Sequence, residues 1–286
     1  MAIGMILKMI QKGIGSIVIA LVVAALFAPS AQAQLLSRGD LFGPGAPPPM
    51  IGVELGLGMH SQMGTYRAAC QCEFTDGSQS GFLGGLLFEL PLSYEWTVGL
   101  GAKFDFGGLN NSTLISDTAT IRFDNPLDSV AYGIIKFQRL GTVRMTTLVL
   151  NPFVKYEFYR GGPFVQLGPG LGFVLSSSFV HNRELPSSTV TVIDPRTQAT
   201  STLTGVTFEN GSNKEELEND NPITGLNSMQ LSIMLTAGFD LPVGENSVVA
   251  PMVTYSLPLS KIRETDATDW KISTLYVSLG LKYKLD

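Results

Sequence analysis

Apolar and polar residues alternate with a period of two along most of the chain after residue 50. In the last such stretch, 275–285, leucine, valine and tyrosine hold every second position, and from 278 onward serine, glycine and lysine lie between them. Successive side chains of a strand point to opposite faces, so each stretch predicts a β-strand with one apolar and one polar face. Eight stretches share this pattern: 51–60, 82–90, 96–106, 147–158, 165–173, 230–241, 249–260 and 275–285.

The connections between the predicted strands alternate between short and long. Tight turns are predicted near 93–94, 159–162 and 244–247. The other links are long at 61–80, 107–145 and 177–228 and moderate at 262–269. Short turns at one end and long loops at the other are typical of outer-membrane barrels, whereas a soluble sandwich has no reason for this asymmetry. We therefore predict an all-β fold, an eight-stranded antiparallel up-and-down transmembrane β-barrel with long extracellular loops.

The first 33 residues have the character of a secretory signal peptide. Lys8 and Lys12 precede an apolar run at 14–27, and the small residues Ala31 and Ala33 suit cleavage after Ala33. The apolar run is shorter than the roughly 20 residues that a membrane-spanning helix needs. Residues 34–50, rich in proline and glycine, are predicted to form a periplasmic leader, and 51–286 the barrel.

Composition narrows the possible partners. Charged residues make up only 15% of the chain, and the formal net charge is -5. Removal of the signal peptide takes away two lysines and no acidic residue, which shifts this charge to -7. A mildly acidic protein is a poor partner for nucleic acid, so we expect no nucleic-acid binding.

Aromatic residues recur at the end of the predicted strands where the short turns lie. Rings with a polar tip or edge suit the interface between lipid and water, so these residues predict an aromatic girdle. Its predicted members are Tyr94, Trp96, Tyr156, Phe158, Phe164, Phe239 and Tyr283.

This architecture resembles the small outer-membrane barrels of the OmpA and OmpX type, within the broad outer-membrane β-barrel and porin-like families. The resemblance covers residues 51–286 and rests on the strand pattern and loop asymmetry, not on a short motif. It implies a location in the outer membrane of a Gram-negative-type bacterium. It also implies contact with outer-membrane lipid and lipopolysaccharide.

The polar faces carry charges of both signs, which an eight-stranded barrel would enclose. Such a barrel is only wide enough for side chains to fill it, and buried charges need partners. We therefore predict a network of paired charges that plugs the lumen, with a narrow gated ion path as the alternative. The predicted network is Glu54, Glu89, Lys103, Asp105, Lys155, Glu157, Asp240, Lys282 and Lys284.

Catalytic and metal-binding chemistry has little support in the sequence. A lipid-modifying or protease barrel would need a nucleophile, a base and an orienting group together. His60 and His181 lack the His-x-Ser spacing of lipid A deacylase barrels, and each is expected to be a polar residue at a loop edge. Cys70 and Cys72 in the first outer loop could form a disulfide, although one intervening residue makes a strained ring. We expect no enzyme activity, no cofactor and no metal site.

The long loops contain further strand-like stretches. Residues 119–123 with 131–137, and 189–193 with 202–208, could pair as hairpins that extend the wall above the membrane. If they crossed the membrane instead, the barrel would have 10 to 12 strands and could act as a porin for small solutes. The acidic stretch 214–220 is expected to be a solvated loop. We favour wall extension, and a structural or surface-interaction role in which the loops bind an external surface, lipopolysaccharide or another envelope protein.

Overall fold

The computed structural model of the protein describes residues 47–67, 73–122, 130–159, 161–185, 189–193, 200–205, 207–208, 211–263 and 269–285. Eight long strands are β1 (Met50–Met63), β4 (Gly77–Pro91), β5 (Trp96–Arg122), β6 (Val130–Glu157), β7 (Pro163–Glu184), β11 (Met229–Phe239), β13 (Ser247–Pro258) and β14 (Lys271–Lys284). Six shorter strands are β2 (Tyr66–Arg67), β3 (Glu73–Phe74), β8 (Thr189–Ile193), β9 (Thr200–Thr204), β10 (Lys214–Asp220) and β12 (Leu241–Pro242). Within the described residues, no helix is long and apolar enough to cross a membrane.

The eight long strands close into a ring. Each pairs antiparallel with two neighbours, in the order β1, β4, β5, β6, β7, β11, β13, β14 and back to β1. Closure is made by β1 and β14, whose register runs from Met50 opposite Lys284 to Met63 opposite Lys271. The predicted eight-stranded antiparallel barrel is confirmed.

The barrel is apolar on the outside and polar on the inside. Along β1, Val53, Leu55 and Leu57 are 47%, 57% and 65% exposed, whereas Glu54 and His60 on the opposite face are buried. In a soluble sandwich the apolar faces of the strands would be buried, whereas here they are exposed. This exposure is what a protein that contacts lipid on its outer surface requires.

Three strands continue well beyond the rest of the ring. The strands β5, β6 and β7 have 27, 28 and 22 residues, against 11 and 12 in β11 and β13. Pairing between β4 and β5 reaches Gly77 opposite Asn111, while β5 and β6 stay paired as far as Arg122 opposite Val130. These strands therefore build a sheet that stands above one side of the barrel.

The strand-like stretches in the long loops do not join the ring. The predicted pairing of 119–123 with 131–137 is found up to Arg122, within the outer part of β5 and β6, and residue 123 lies outside the described residues. The strands β8 and β9 form a separate hairpin, with β9 two residues earlier than predicted. Among the described residues the ring holds eight strands, so the 10- to 12-stranded alternative is wrong.

The acidic stretch 214–220 is not a solvated loop as predicted. It forms β10, which pairs antiparallel with the outer part of β7 from Lys214 opposite Glu184 to Asp220 opposite Phe179. Arg183 on β7 forms an ion pair with Glu215 at 2.6 Å. Strand pairing with a charge partner explains why an acidic segment is ordered here.

Outward-facing prolines interrupt the ladder without shifting its register. Pairing between β6 and β7 stops at Leu150 opposite Leu171 and resumes in the same register at Val154 opposite Leu167. This places Pro152 opposite Pro169, two residues that lack an N–H donor. The Asn151 amide donates a hydrogen bond to the Pro169 carbonyl at 2.9 Å, which satisfies one group in the gap. The bulge in this strand pair lies further out, at 175.

Candidate functional site: a lumen filled in layers

The layer nearest the short turns is a cluster of buried ion pairs. The Lys155 ammonium lies 2.7 Å from Glu89, 2.8 Å from Glu157 and 3.0 Å from Asp240. Lys282 lies 2.9 Å from Glu89 and 2.7 Å from Asp240. Three strands, β4, β6 and β14, and the link between β11 and β12 contribute these groups, so two lysines and three carboxylates join opposite sides of the lumen. Buried charges in such an array are stable only because each has a partner.

Phe164 belongs to this layer and not to the outer girdle, so its predicted place is wrong. Its ring is buried, and the ammonium groups of Lys155 and Lys282 lie 5.1 and 5.3 Å from its centre, within cation–π range. Strand parity explains the error, because Val165 and Leu167 face outward and the residue before Val165 must face inward. Gly238 makes room, since a Cβ there would come within 2.6 Å of the Phe164 ring.

The other predicted girdle residues lie at the turn end of the barrel. Tyr94, Phe158, Phe239 and Tyr283 are exposed, and Trp96 and Tyr156 are partly buried. The rings of Trp96 and Tyr156 are 4.9 Å apart, and those of Tyr156 and Phe158 are 5.4 Å apart in an edge-to-face contact. Amphipathic rings suit the interface between lipid and water, and the girdle itself stays a prediction.

Lys284 does not join the charge network. Its ammonium donates a hydrogen bond to the backbone carbonyl of Glu245 at the rim of the barrel. Parity alone puts Lys284 on the inner face, but the strand ends there and its long side chain reaches out of the lumen. Its predicted place in the network is therefore wrong.

A second layer lies above the first and contains one isolated ion pair. The Lys103 ammonium is 2.8 Å from the Glu54 carboxylate, and both side chains are fully buried. The Ser278 hydroxyl donates to the other Glu54 oxygen at 2.7 Å.

The third layer joins His60, Asp105 and Tyr276. The His60 Nε2 lies 3.1 and 3.2 Å from the two Asp105 oxygens, and the Tyr276 hydroxyl donates to Asp105 at 2.8 Å. His60 is therefore a buried side chain inside a strand, and its predicted position at a loop edge is wrong. In the described part of the chain, Asp105 pairs with no lysine or arginine, unlike the other four acids of the lumen.

Beyond the third layer, an apolar cap closes the outer end of the lumen. Side chains from short strands and loops pack there against inward-facing residues of β5, β6 and β7. Its buried members are Tyr66, Phe74, Leu109, Val143, Met145, Phe179, Ile223, Ile262 and Trp270. The Tyr66 ring is 4.5 Å from Trp270 and 5.0 Å from Phe179. Backbone hydrogen bonds from Asn227 to Ile262 and from Ile262 to Trp270 tie two of the loops together.

The cap escaped sequence reasoning because its loop residues follow no period. The available signal was the presence of large apolar side chains, such as Tyr66, Phe74 and Trp270, in segments predicted to be loops. Which of them meet depends on loops that are far apart along the chain.

His181 packs against the cap and is buried, so its predicted loop-edge position is also wrong. Its ring centre is 5.7 Å from that of Phe74 and 6.2 Å from that of Phe179. It lies in the outer part of β7, beyond Leu175, the last exposed apolar residue on the outer face of that strand. Burial, with the nearby charge of Arg139, lowers the pKa of His181 to about 4, so the imidazole is neutral at neutral pH.

A cavity of about 70 Å³ separates the third layer from the cap. Its wall combines polar groups, among them His60, Asp105 and Tyr276, with the apolar side chains of Met145 and Met234. Within the described ranges, no three His, Cys, Asp or Glu side chains lie close enough to hold a metal ion together. Cys70 and Cys72, which could form a disulfide, lie outside the described residues.

Comparison with known families agrees with this geometry. The family described as outer membrane protein beta-barrel domain matches residues 32–264. The chain belongs to this family. The barrel therefore lies in the outer membrane of a Gram-negative bacterium, with its short turns toward the periplasm and its long loops outside.

Three solved barrels illustrate the similarity. Ail, the attachment invasion locus protein of Yersinia pestis, is 11% identical, with 82% of this chain and 99% of that chain covered and a TM-score of 0.32. OprG of Pseudomonas aeruginosa is 11% identical, with 84% of this chain and 97% of that chain covered and a TM-score of 0.35. Neisserial surface protein A is 9% identical, with 82% of this chain and 97% of that chain covered and a TM-score of 0.32. A comparison with curated protein sequences finds no match.

Proposed function

We propose that this protein is a non-conducting outer-membrane barrel with a structural and surface-interaction role. The observation that carries the proposal is the filling of the lumen by stacked layers of ion pairs beneath an apolar cap. Lys155, Glu54 and Lys282 are almost completely buried within it. A water-filled porin channel would require these side chains to face solvent.

The charge layers favour a seal over a gated ion path. Lys155 contacts three carboxylates and Lys282 two, so an ion crossing this level would have to break several short contacts at once. Each contact is desolvated, and breaking one leaves an uncompensated charge. The barrel also has the strand number at which side chains alone fill the interior.

Conductance measurements test the seal. The refolded mature protein in a planar bilayer is expected to be electrically silent, while a heat-modifiability gel shows that it is folded. A double variant, Lys155→Ser with Lys282→Ser, checks that the assay detects leakage if the layer is weakened. A steady large conductance from the folded wild-type protein would contradict the proposal and favour a porin.

We propose further that the outer sheet of β5, β6, β7 and β10 is the interaction element. It rises beyond the neighbouring strands, and an outer edge strand offers backbone donors and acceptors for a partner. Its partners would be lipopolysaccharide or another envelope protein. Arg183, held by Glu215, lies within cation–π distance of the rings of Phe137 and Phe208, which stack on each other, and these contacts stiffen this sheet.

A loop deletion tests the interaction role. Joining 111 to 141 by an Asn-Gly turn removes the outer part of β5 and β6 and leaves the ring intact. The variant is expected to fold but to lose binding to lipopolysaccharide-containing vesicles, or to outer-membrane vesicles from cells that lack this protein. Loss of binding to the second vesicle type alone would identify an envelope protein as the partner. Unchanged binding to both would exclude the outer sheet.

We propose no catalytic role. His60 and Asp105 form an imidazole–carboxylate pair, but no described hydroxyl or thiol bonds to the free nitrogen of His60. Nucleophilic catalysis needs a nucleophile within hydrogen-bond reach of its base.

A further inference from the structure

The orientation of His60 leaves one ring nitrogen available as a ligand. Its Nε2 faces the Asp105 carboxylate and therefore carries the proton, so Nδ1 presents a lone pair. The ring is 4% exposed, and among the described residues Nδ1 has no hydrogen-bond partner. A histidine whose other N–H is held by a carboxylate is the usual arrangement of a metal-binding imidazole.

Gly107 leaves room for the His60 ring because glycine has no side chain. A Cβ at Gly107 would lie 2.2 Å from Nε2, so the imidazole packs directly against the backbone of this residue. Asp105 is itself fixed by the Tyr276 hydroxyl at 2.8 Å. The imidazole is thus oriented by contacts on both sides before any ligand arrives.

Two methionines share the cavity that His60 lines. Met145 is directly opposite Gly107 in the β5–β6 ladder, so its side chain leaves the wall on the same face as that residue, and it lines the cavity together with His60. Met234 lines the same cavity and belongs to the buried cluster that contains Tyr276. Thioethers are soft ligands that select Cu(I) over hard divalent cations, and an imidazole also suits copper.

The charge of the site also fits a monovalent cation. Glu54, Glu89, Glu157 and Asp240 each contact at least one lysine, whereas Asp105 contacts none among the described residues. One positive charge bound at His60 Nδ1 would compensate the Asp105 carboxylate, which bonds to the other nitrogen of the same ring. A divalent ion would leave an excess positive charge in a desolvated place.

We propose that the cavity between the third layer and the cap binds one Cu(I) ion through His60 Nδ1 and the thioethers of Met145 and Met234. Asp105 is a positioning residue that orients the imidazole and balances the charge. The ion binds and leaves as Cu(I), with no change in oxidation state. Because Nδ1 is already deprotonated, binding releases no proton from His60.

The competing occupant of Nδ1 is a proton. Protonated His60 would also neutralise Asp105, and the site would then hold no metal. Nitrogen-15 chemical shifts distinguish these states, because His60 and His181 are the only histidines and His181→Ala assigns the signals. We expect the neutral tautomer with Nε2 protonated at pH 7, and a shift of Nδ1 alone when metal is added.

Metal titration is the decisive experiment. It uses the refolded mature barrel with Cys70→Ser and Cys72→Ser, because thiolates would also bind the probe. The probe is Ag(I), a redox-inert substitute for Cu(I), followed by Cu(I) under reducing, anaerobic conditions. We expect one ion per barrel and X-ray absorption with one nitrogen and two sulfur neighbours.

Variants test whether a residue binds the metal ion or only maintains the fold. His60→Ala is expected to weaken binding at least 100-fold, and Asp105→Asn about 10- to 100-fold, as for other groups that orient a ligand. Met145→Leu and Met234→Leu keep the apolar volume and should each weaken binding at least tenfold. His181→Ala, a buried histidine outside the cavity, should bind as the parent does. Heat-modifiability gels confirm that each variant is folded.

Three results would overturn the site. They are a protonated His60 at pH 7, saturation by more or fewer than one ion per barrel, and equal affinity in His60→Ala and the parent. None depends on whether the lumen conducts or on what the outer sheet binds.

Discussion

Replacing Lys155 with methionine is expected to lower the free energy of unfolding of the barrel by about 3–5 kcal/mol, because it leaves buried carboxylates without their partner. Glu157 would lose its lysine, and Glu89 and Asp240 would share Lys282 alone. Methionine has a similar length, so the loss would come from charge and not from an empty space. Urea unfolding in lipid vesicles, followed by heat-modifiability gels, measures the effect.

Two further variants make this prediction specific. Lys284→Met removes a lysine at the rim whose side chain bonds, among the described residues, to a backbone carbonyl, so it should change stability little. Adding Glu157→Gln to Lys155→Met removes the carboxylate left without a lysine and should restore part of the loss. Equal effects of Lys155→Met and Lys284→Met would show that the layer does not stabilise the barrel.

Replacing Trp270 with alanine is expected to destabilise the outer cap by about 3–5 kcal/mol, the usual cost of removing a large buried aromatic side chain. Trp270 is 1% exposed and packs on Tyr66, and its carbonyl accepts a hydrogen bond from Ile262. The loop between β13 and β14 should then open more often. A protease that cleaves only the open loop should act about 100- to 3,000-fold faster, since each 1.4 kcal/mol is a factor of ten.

Trypsin added outside proteoliposomes measures this opening, because Lys261 and Arg263 lie in that loop. The matched control is Trp96→Ala, which changes the only other tryptophan and lies at the turn end of the barrel. It should leave cleavage of the outer loop unchanged. Rapid cleavage of the wild-type loop would mean that the cap is already open.

Much of the fold follows from local pattern. A period of two fixes which side chains share a strand face, so the eight strands and the outward position of residues such as Leu57 and Leu279 could be predicted. The difference in loop length predicted which end carries the short turns. The inward charges Glu89, Lys155, Asp240 and Lys282 were found for the same reason, because parity needs only near neighbours in sequence.

Two predicted positions are wrong, one within a strand and one at a strand end. Phe164 lies at the height of the girdle aromatics, but Val165 beside it faces outward, so Phe164 faces inward. Lys284 lies on the inner face by parity, but it is the last residue of β14 and its side chain can leave the lumen.

Which lumen groups meet was decided by the tertiary structure alone. Lys155 and Glu89 are 66 positions apart, and Ser278 and Glu54 are 224 apart. Alternation says that such side chains face inward, but only closure of the ring and the register of each strand pair set their level and their partners. His60 likewise meets Asp105 and Tyr276 only because the closed ring brings β1, β5 and β14 to one height. The contacts within the cap also depend on the tertiary structure, because its loops follow no period. Alternation along the chain specifies a barrel with charges inside, and closure of the ring sets how those charges pair and what lies above them.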